Sequence, residues 1–118
     1  SLPFPLAALL VRGHVGAAEI SGESLSDPDI LRLSRATTLI ADERFARLFP
    51  AERWAEVDVM LADGRTLCSR PAVARGSAEN PLGDDEISAK FHRLMEGAGL
   101  ADRASRIEDA VMNLDDAS

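Results

Sequence analysis

Val57-Asp58-Val59-Met60-Leu61-Ala62-Asp63-Gly64-Arg65 is the stretch from which the rest of the chain is most readily ordered. Val57, Val59 and Leu61 alternate with Glu56, Asp58 and Met60, the period of two expected of a strand with one face against a core. Asp63-Gly64 is a dipeptide that tolerates the positive φ angles of a type I′ turn. A hairpin looped on these two residues sets Leu61 opposite Thr66 and Val59 opposite Cys68. Cys68 then lies on the buried face.

Upstream of the hairpin, Leu6, Ala7, Ala8, Leu9, Leu10 and Val11 surround the axis of a helix over Pro5–Arg12, stopped by Gly13 and Gly16. A helix apolar on all sides is buried on all sides. So small a domain supplies too little cover for it, so part of that cover is expected from outside these residues. The chain opens on Ser1 rather than Met, which agrees with a segment of a longer polypeptide. Ser21–Ser26 is polar and reads as a loop. Asp27-Pro28 then supplies an N-cap and a first-turn proline for a short helix carrying Ile30, Leu31 and Leu33. Thr37, Thr38, Leu39 and Ile40 read as a short strand, and Phe45, Leu48 and Phe49 as a short helix closed by Pro50.

Downstream, a loop runs from Gly76 to Pro81. Gly83 as N-cap puts Glu86 at N3 of the next helix, with Leu82 and Ile87 at the positions of a hydrophobic staple. Ile87, Phe91, Leu94 and Met95 share one face of that helix. Gly97 and Gly99 interrupt it, Ile107, Ala110, Val111 and Leu114 form the stripe of a last helix, and the tail from Asp115 is expected to fray. The order is helix, helix, strand, helix, hairpin, helix, helix. It suits an α+β fold, a two-layer α/β-plait-like sandwich with a small antiparallel sheet and helices packed on one face. The chain is expected to form a single domain over 1–118.

With 118 residues, one core and one domain is the natural reading. Thirteen Lys and Arg against 20 Asp and Glu give a net charge of -7, which disfavours nucleic acid and anionic membranes as partners. One cysteine excludes an intramolecular disulfide and a thiolate zinc site, and agrees with a cytoplasmic location. The apolar run Leu2 to Val11 lacks a basic flank and is shorter than the ~20 residues of a membrane span.

Chemistry-bearing residues are few. His14 and His92 have no second ligand at metal spacing and read as incidental. Glu79, Asp84, Asp85 and Glu86 read as helix capping, because the cluster lacks the alternating ligands and central glycine of a calcium loop. Cys68 reads as a small buried apolar residue. Trp54 reads as packing under the hairpin, with a contact surface as the alternative. Gly13-His14-Val15-Gly16 follows a helix rather than a strand and fails the dinucleotide pattern.

Three stretches together resemble the C-terminal part of the MmgE/PrpD (2-methylcitrate dehydratase-like) family. They are Ser1-Leu2-Pro3-Phe4 with Ala7 and Gly13, the hairpin Val57 to Arg65, and Gly76-Ser77-Ala78-Glu79-Asn80-Pro81-Leu82 with Glu86, Lys90 and Phe91. The resemblance implies a two-domain lyase or isomerase in which a large helical domain joins this smaller one, with the active site in the cleft between them. It implies dehydration, decarboxylation or epimerisation of a small polycarboxylate such as 2-methylcitrate, without metal or organic cofactor. It also implies a homodimer. The family's catalytic His, Lys and Asp residues lie mainly upstream of Ser1, so none carries over. Phe4 matches a position that is often tyrosine and is the cleft-lining candidate. Gly83 replaces a capping Ser, and His14 stands where an acid is common. The alternatives are a stand-alone protein-interaction module and a degenerate homologue without catalysis.

Overall fold

The structure, a computed structural model, describes residues 2–114. Its contacts divide into two compact units, Ser1–Ile40 with Lys90–Ser118, and Ala41–Ala89. The class is α+β, with five helices and four short antiparallel strands among the described residues.

In the first unit, α1 (Pro3–Arg12) packs on α2 (Pro28–Ala36). Phe4, Ala7, Ala8 and Val11 recur at the spacing of one helical face. Ala7 and Ala8 are fully buried with Ile30, and Phe4, Val11 and Leu33 pack around them. Two alanines at the contact let the helix backbones approach, and Ile30 fills the space between. The opposite face carries Leu9 and Leu10, 42% and 49% exposed. The apolar circumference of α1 is therefore two stripes, one closed by α2 and one open. Gly13 ends α1 at φ 78, where its N–H reaches Leu9 O at 2.8 Å. Only a residue without Cβ adopts this left-handed C-cap at no cost.

The connection between α1 and α2 is wound into two 3-10 turns, Ala18–Ile20 and Gly22–Ser26, rather than the open loop the polar sequence suggests. Asp27 caps α2 as expected. Its Oδ1 accepts from Asp29 N at 2.9 Å and Ile30 N at 3.2 Å, while Arg12 Nη2 donates to Oδ2. The Ile30 N–H does most to hold this carboxyl below the usual aspartate range; partial desolvation opposes it, and the Asp29 N–H and Arg12 assist. A depressed folded pKa stabilises the fold above the unfolded value near 3.9 and loses that contribution as pH falls through the folded value. Asp27→Asn keeps a capping oxygen without the charge. Its urea midpoint is expected to fall less than the parent's between about pH 6 and pH 3; equal falls refute the assignment.

Thr37 to Ile40 is not a strand. Thr37 Oγ bonds back to Leu33 O at 2.8 Å, and Ile40 is 86% exposed. β-branched residues favour a strand only where a neighbour completes the ladder, and none pairs here.

At the other end of the unit, α4 (Asp84–Gly97), which begins in the second unit, closes in a Schellman motif. Leu100 N reaches Met95 O at 2.8 Å and Gly99 N reaches Glu96 O at 2.9 Å, with Gly99 at φ 72. α5 (Ala101–Met112) buries Ala104, while Ile107 and Val111 are exposed, so the expected apolar stripe faces outward. Leu114 is exposed beyond the helix end. His92, expected on the solvent side, is half-buried: its Nε2 lies 2.8 Å from Glu108 Oε2 and its ring meets Phe91 edge-on. The tail from Asp115 lies outside the described residues.

In the second unit, Asp42 caps α3 (Glu43–Ala46), and the strands form two ribbons. The hairpin pairs β2 (Asp58–Met60) with β3 (Thr66–Cys68), and β1 (Trp54–Ala55) pairs with β4 (Ala72–Val73). Val57, Val59 and Leu61 are half-buried and Asp58 and Met60 exposed, as the alternation requires. The register is one residue away from expectation, with Asp58 opposite Cys68 and Val59 opposite Leu67. The reason is the loop. Gly64 N bonds to Leu61 O at 3.0 Å and Leu61 N to Arg65 O at 2.8 Å, so the loop is Ala62-Asp63-Gly64. Among the described residues no side-chain-bearing position has positive φ, which excludes a type I′ turn at Asp63. Gly64 alone, at φ 85, supplies the left-handed residue of a three-residue hairpin.

A one-residue shift reverses faces. Cys68 is therefore exposed, not buried. The Asp58 carboxylate across the ladder pushes its thiol pKa up, with desolvation and Glu56 adding, so thiolate chemistry is suppressed there.

Large apolar side chains stay open in both units, Leu39 and Ile40 at 60% and 86% exposed in the first and Phe49 and Met60 at 63% and 80% in the second.

Candidate functional site

Two places combine accessible geometry with usable chemistry. The first is α1, which carries Phe4. Pro3 and Pro5 sit in its first turn, where a missing N–H costs nothing. Phe4 is half-buried on the α2-facing stripe, against the Ala7, Ala8 and Ile30 cluster. Its ring is thus braced by the core. As a phenylalanine it offers an apolar wall and no proton or hydrogen bond. The polar groups just past α1 satisfy one another: His14 Nδ1 lies 3.1 Å from Arg12 O, His14 Nε2 lies 3.1 Å from Glu19 Oε1, and Gly16 N donates to Glu19 Oε2 at 2.8 Å. These contacts hold the turn, and His14 is spent in them.

The second place lies wholly within the second unit. Pro50, Ala51, Arg53, Ala74, Arg75, Gly76 and Ser77 line an open concavity of about 340 Å³. Its walls are fixed by the β1–β4 ribbon, since Ala74 N donates to Arg53 O at 3.0 Å beside the Trp54–Val73 pair. Trp54, half-buried in that ribbon, donates its indole N–H to Glu52. Gly76 and Ser77 complete the lining, and past them the chain turns back on itself. Gly76, at φ 90, donates its N–H to Asn80 O at 2.8 Å, and Asn80 Nδ2 reaches Val73 O at 3.4 Å. Gly76 and Asn80 are thus the two residues that fold this turn back on β4.

Arg75 is held from two sides. Its Nη1 donates to Asn80 Oδ1 at 3.2 Å and its Nη2 to the Glu86 carboxylate. Glu86 in turn accepts the Gly83 N–H at 2.9 Å, the reciprocal half of a capping box with glycine as N-cap. That N–H does most to lower the Glu86 pKa; desolvation opposes and Arg75 assists. Of the acidic cluster, then, Glu86 caps a helix and anchors an arginine. Among the described residues no group of three or more His, Cys, Asp or Glu is placed to hold a metal ion. No helix there is long and apolar enough to cross a membrane.

Phe4 was legible in the sequence through its motif. Arg53 and Arg75 were not, since they meet through pairing of two-residue strands 18 positions apart (Trp54 with Val73 is 19, Ala55 with Ala72 is 17).

Compared with known proteins, residues 1–116 match the family model described as the MmgE/PrpD C-terminal domain. No curated protein and no solved structure matches the chain.

Proposed function

The chain belongs to the MmgE/PrpD family as its C-terminal domain, and from that premise we propose that it forms one wall of an interdomain active site in a longer lyase or isomerase. The substrate of that enzyme is a small polycarboxylate such as 2-methylcitrate, and the reaction a dehydration, decarboxylation or epimerisation. The helical domain of the longer protein is the partner of α1, and the assembly is a homodimer. The observation that carries this reading is the family match over nearly the whole chain. The open Leu9 and Leu10 stripe of α1 supports it, because it asks for a covering partner.

In this arrangement Phe4 lines the cleft as an apolar wall, and proton transfer falls to groups on the other domain. The present chain contributes shape, exclusion of water and placement of charge. The test is deletion of residues 1–118 from the longer protein, followed by assays on polycarboxylates. Loss of activity is expected in the deleted protein, and none in the isolated chain. Full activity after deletion, or turnover by the isolated chain, sinks the proposal.

The same open stripe also fits a stand-alone module that recruits a protein partner. The intact mass of the endogenous protein separates the two. A mass well above 12.6 kDa favours the enzyme, and one close to it favours the module.

A further inference from the structure

The concavity lined by Arg53 and Arg75 belongs to the second unit and shares no lining residue with α1. The chain as a whole carries -7 and repels anions on average. The lining of this concavity nevertheless includes two arginines, the Ser77 hydroxyl and no carboxylate. Arg75 is preorganised. Asn80 and Glu86 each take one of its N–H groups, which fixes the guanidinium plane and leaves its other N–H groups free. Its bond to the Glu86 carboxylate shows the chemistry that this guanidinium accepts. Among the described residues Arg53 has no side-chain hydrogen-bond or ion-pair partner, so its fork is available. Ser77 Oγ gives its proton to Ala74 O at 3.2 Å, which leaves the two guanidinium groups as the side-chain donors of the lining. One held arginine and one unpaired arginine in the lining of the same concavity are matched to a planar, bidentate acceptor.

We propose that this concavity is an anion site in which Arg53 and Arg75 together bind a carboxylate of a small polycarboxylic acid. The binding of a carboxylate rests on the two arginines alone, and the choice of a polycarboxylate rests on the functional reading above. Arg53 is the adaptable partner that closes on the ligand, and Arg75 is the fixed one. Glu86 keeps Arg75 in place and, by partly neutralising it, moderates the affinity.

The experiment is a titration of the 118-residue chain with citrate, followed by amide shifts of the isotopically labelled protein, with acetate and sulfate as comparisons. Saturable shifts are expected at Arg53 and over 74–77, with citrate tighter than either comparison. Arg53→Gln weakens citrate binding by roughly tenfold, Arg53→Lys by less, and Arg35→Gln, on the exposed end of α2, not at all. Shifts that do not saturate, shifts indifferent to Arg53→Gln, or sulfate binding as tight as citrate each overturn the proposal. The outcome is independent of the deletion assay. Citrate binding at Arg53 with full activity after deletion leaves this site standing and removes the interdomain reading; the reverse pattern removes only this site.

Discussion

Ile30→Ala is expected to cost about 3 kcal/mol and to separate α1 from α2. Ile30 is the one large side chain that is fully buried in the described structure, and its neighbours at the contact are Ala7 and Ala8. Alanines have no atoms to move into the space an isoleucine leaves, so the site collapses poorly and the cost sits well above the transfer term alone. Phe4, Val11 and Leu33 surround this point and lose contact together. Leu33→Ala, at a half-buried position, is expected to cost less than half as much. Urea unfolding followed by far-UV circular dichroism measures both. A loss below about 1 kcal/mol for Ile30→Ala, or a larger loss for Leu33→Ala, means that the α1–α2 contact is not the centre of the first unit.

What the sequence revealed depended on how local the cause was. The caps were legible, because Asp27 and Glu86 each act on N–H groups within three residues, and the residue types declare the role. The stop at Gly13 and the break at Gly99 were legible for the same reason, since a left-handed position selects glycine. The hairpin was legible but its register was not. Asp63-Gly64 serves equally as a two-residue loop or as the end of a three-residue one, and the choice moves Cys68 from one face to the other. Thr37 to Ile40 misled because propensity says nothing about the presence of a partner strand. The stripe of α5 misled because amphipathic spacing does not say what covers it, and here Ala104 takes the interior while Ile107 and Val111 do not. For the candidate site the division is the same. Phe4 belongs to a contiguous motif, whereas Arg53 and Arg75 meet only after β1 and β4 pair, and strands of two residues carry no period to read.

Leu9→Lys combined with Leu10→Lys is expected to leave the isolated chain folded and to inactivate the longer protein. Both leucines lie on the open stripe of α1, each about half exposed, and lysine keeps an aliphatic stem at the same place, so the substitution removes only part of the burial within the chain. Two cations in the last turns of a helix suit the dipole, and unfolding free energy should stay within about 1 kcal/mol of the parent. If the helical domain covers this stripe, each leucine loses roughly 1 kcal/mol of apolar burial in the assembled protein, and each ammonium adds a desolvation cost. The combined effect on interdomain association is then at least about a hundredfold, with activity falling alongside it. Unchanged activity with an unchanged fold would show that the stripe meets no partner in the enzyme. Unfolding of the isolated variant would instead assign Leu9 and Leu10 to the chain's own packing and withdraw the stripe as a docking surface. The contrast with Ile30→Ala is the sharpest reading of α1: one face decides whether the chain folds, and the other decides whether the folded chain is used.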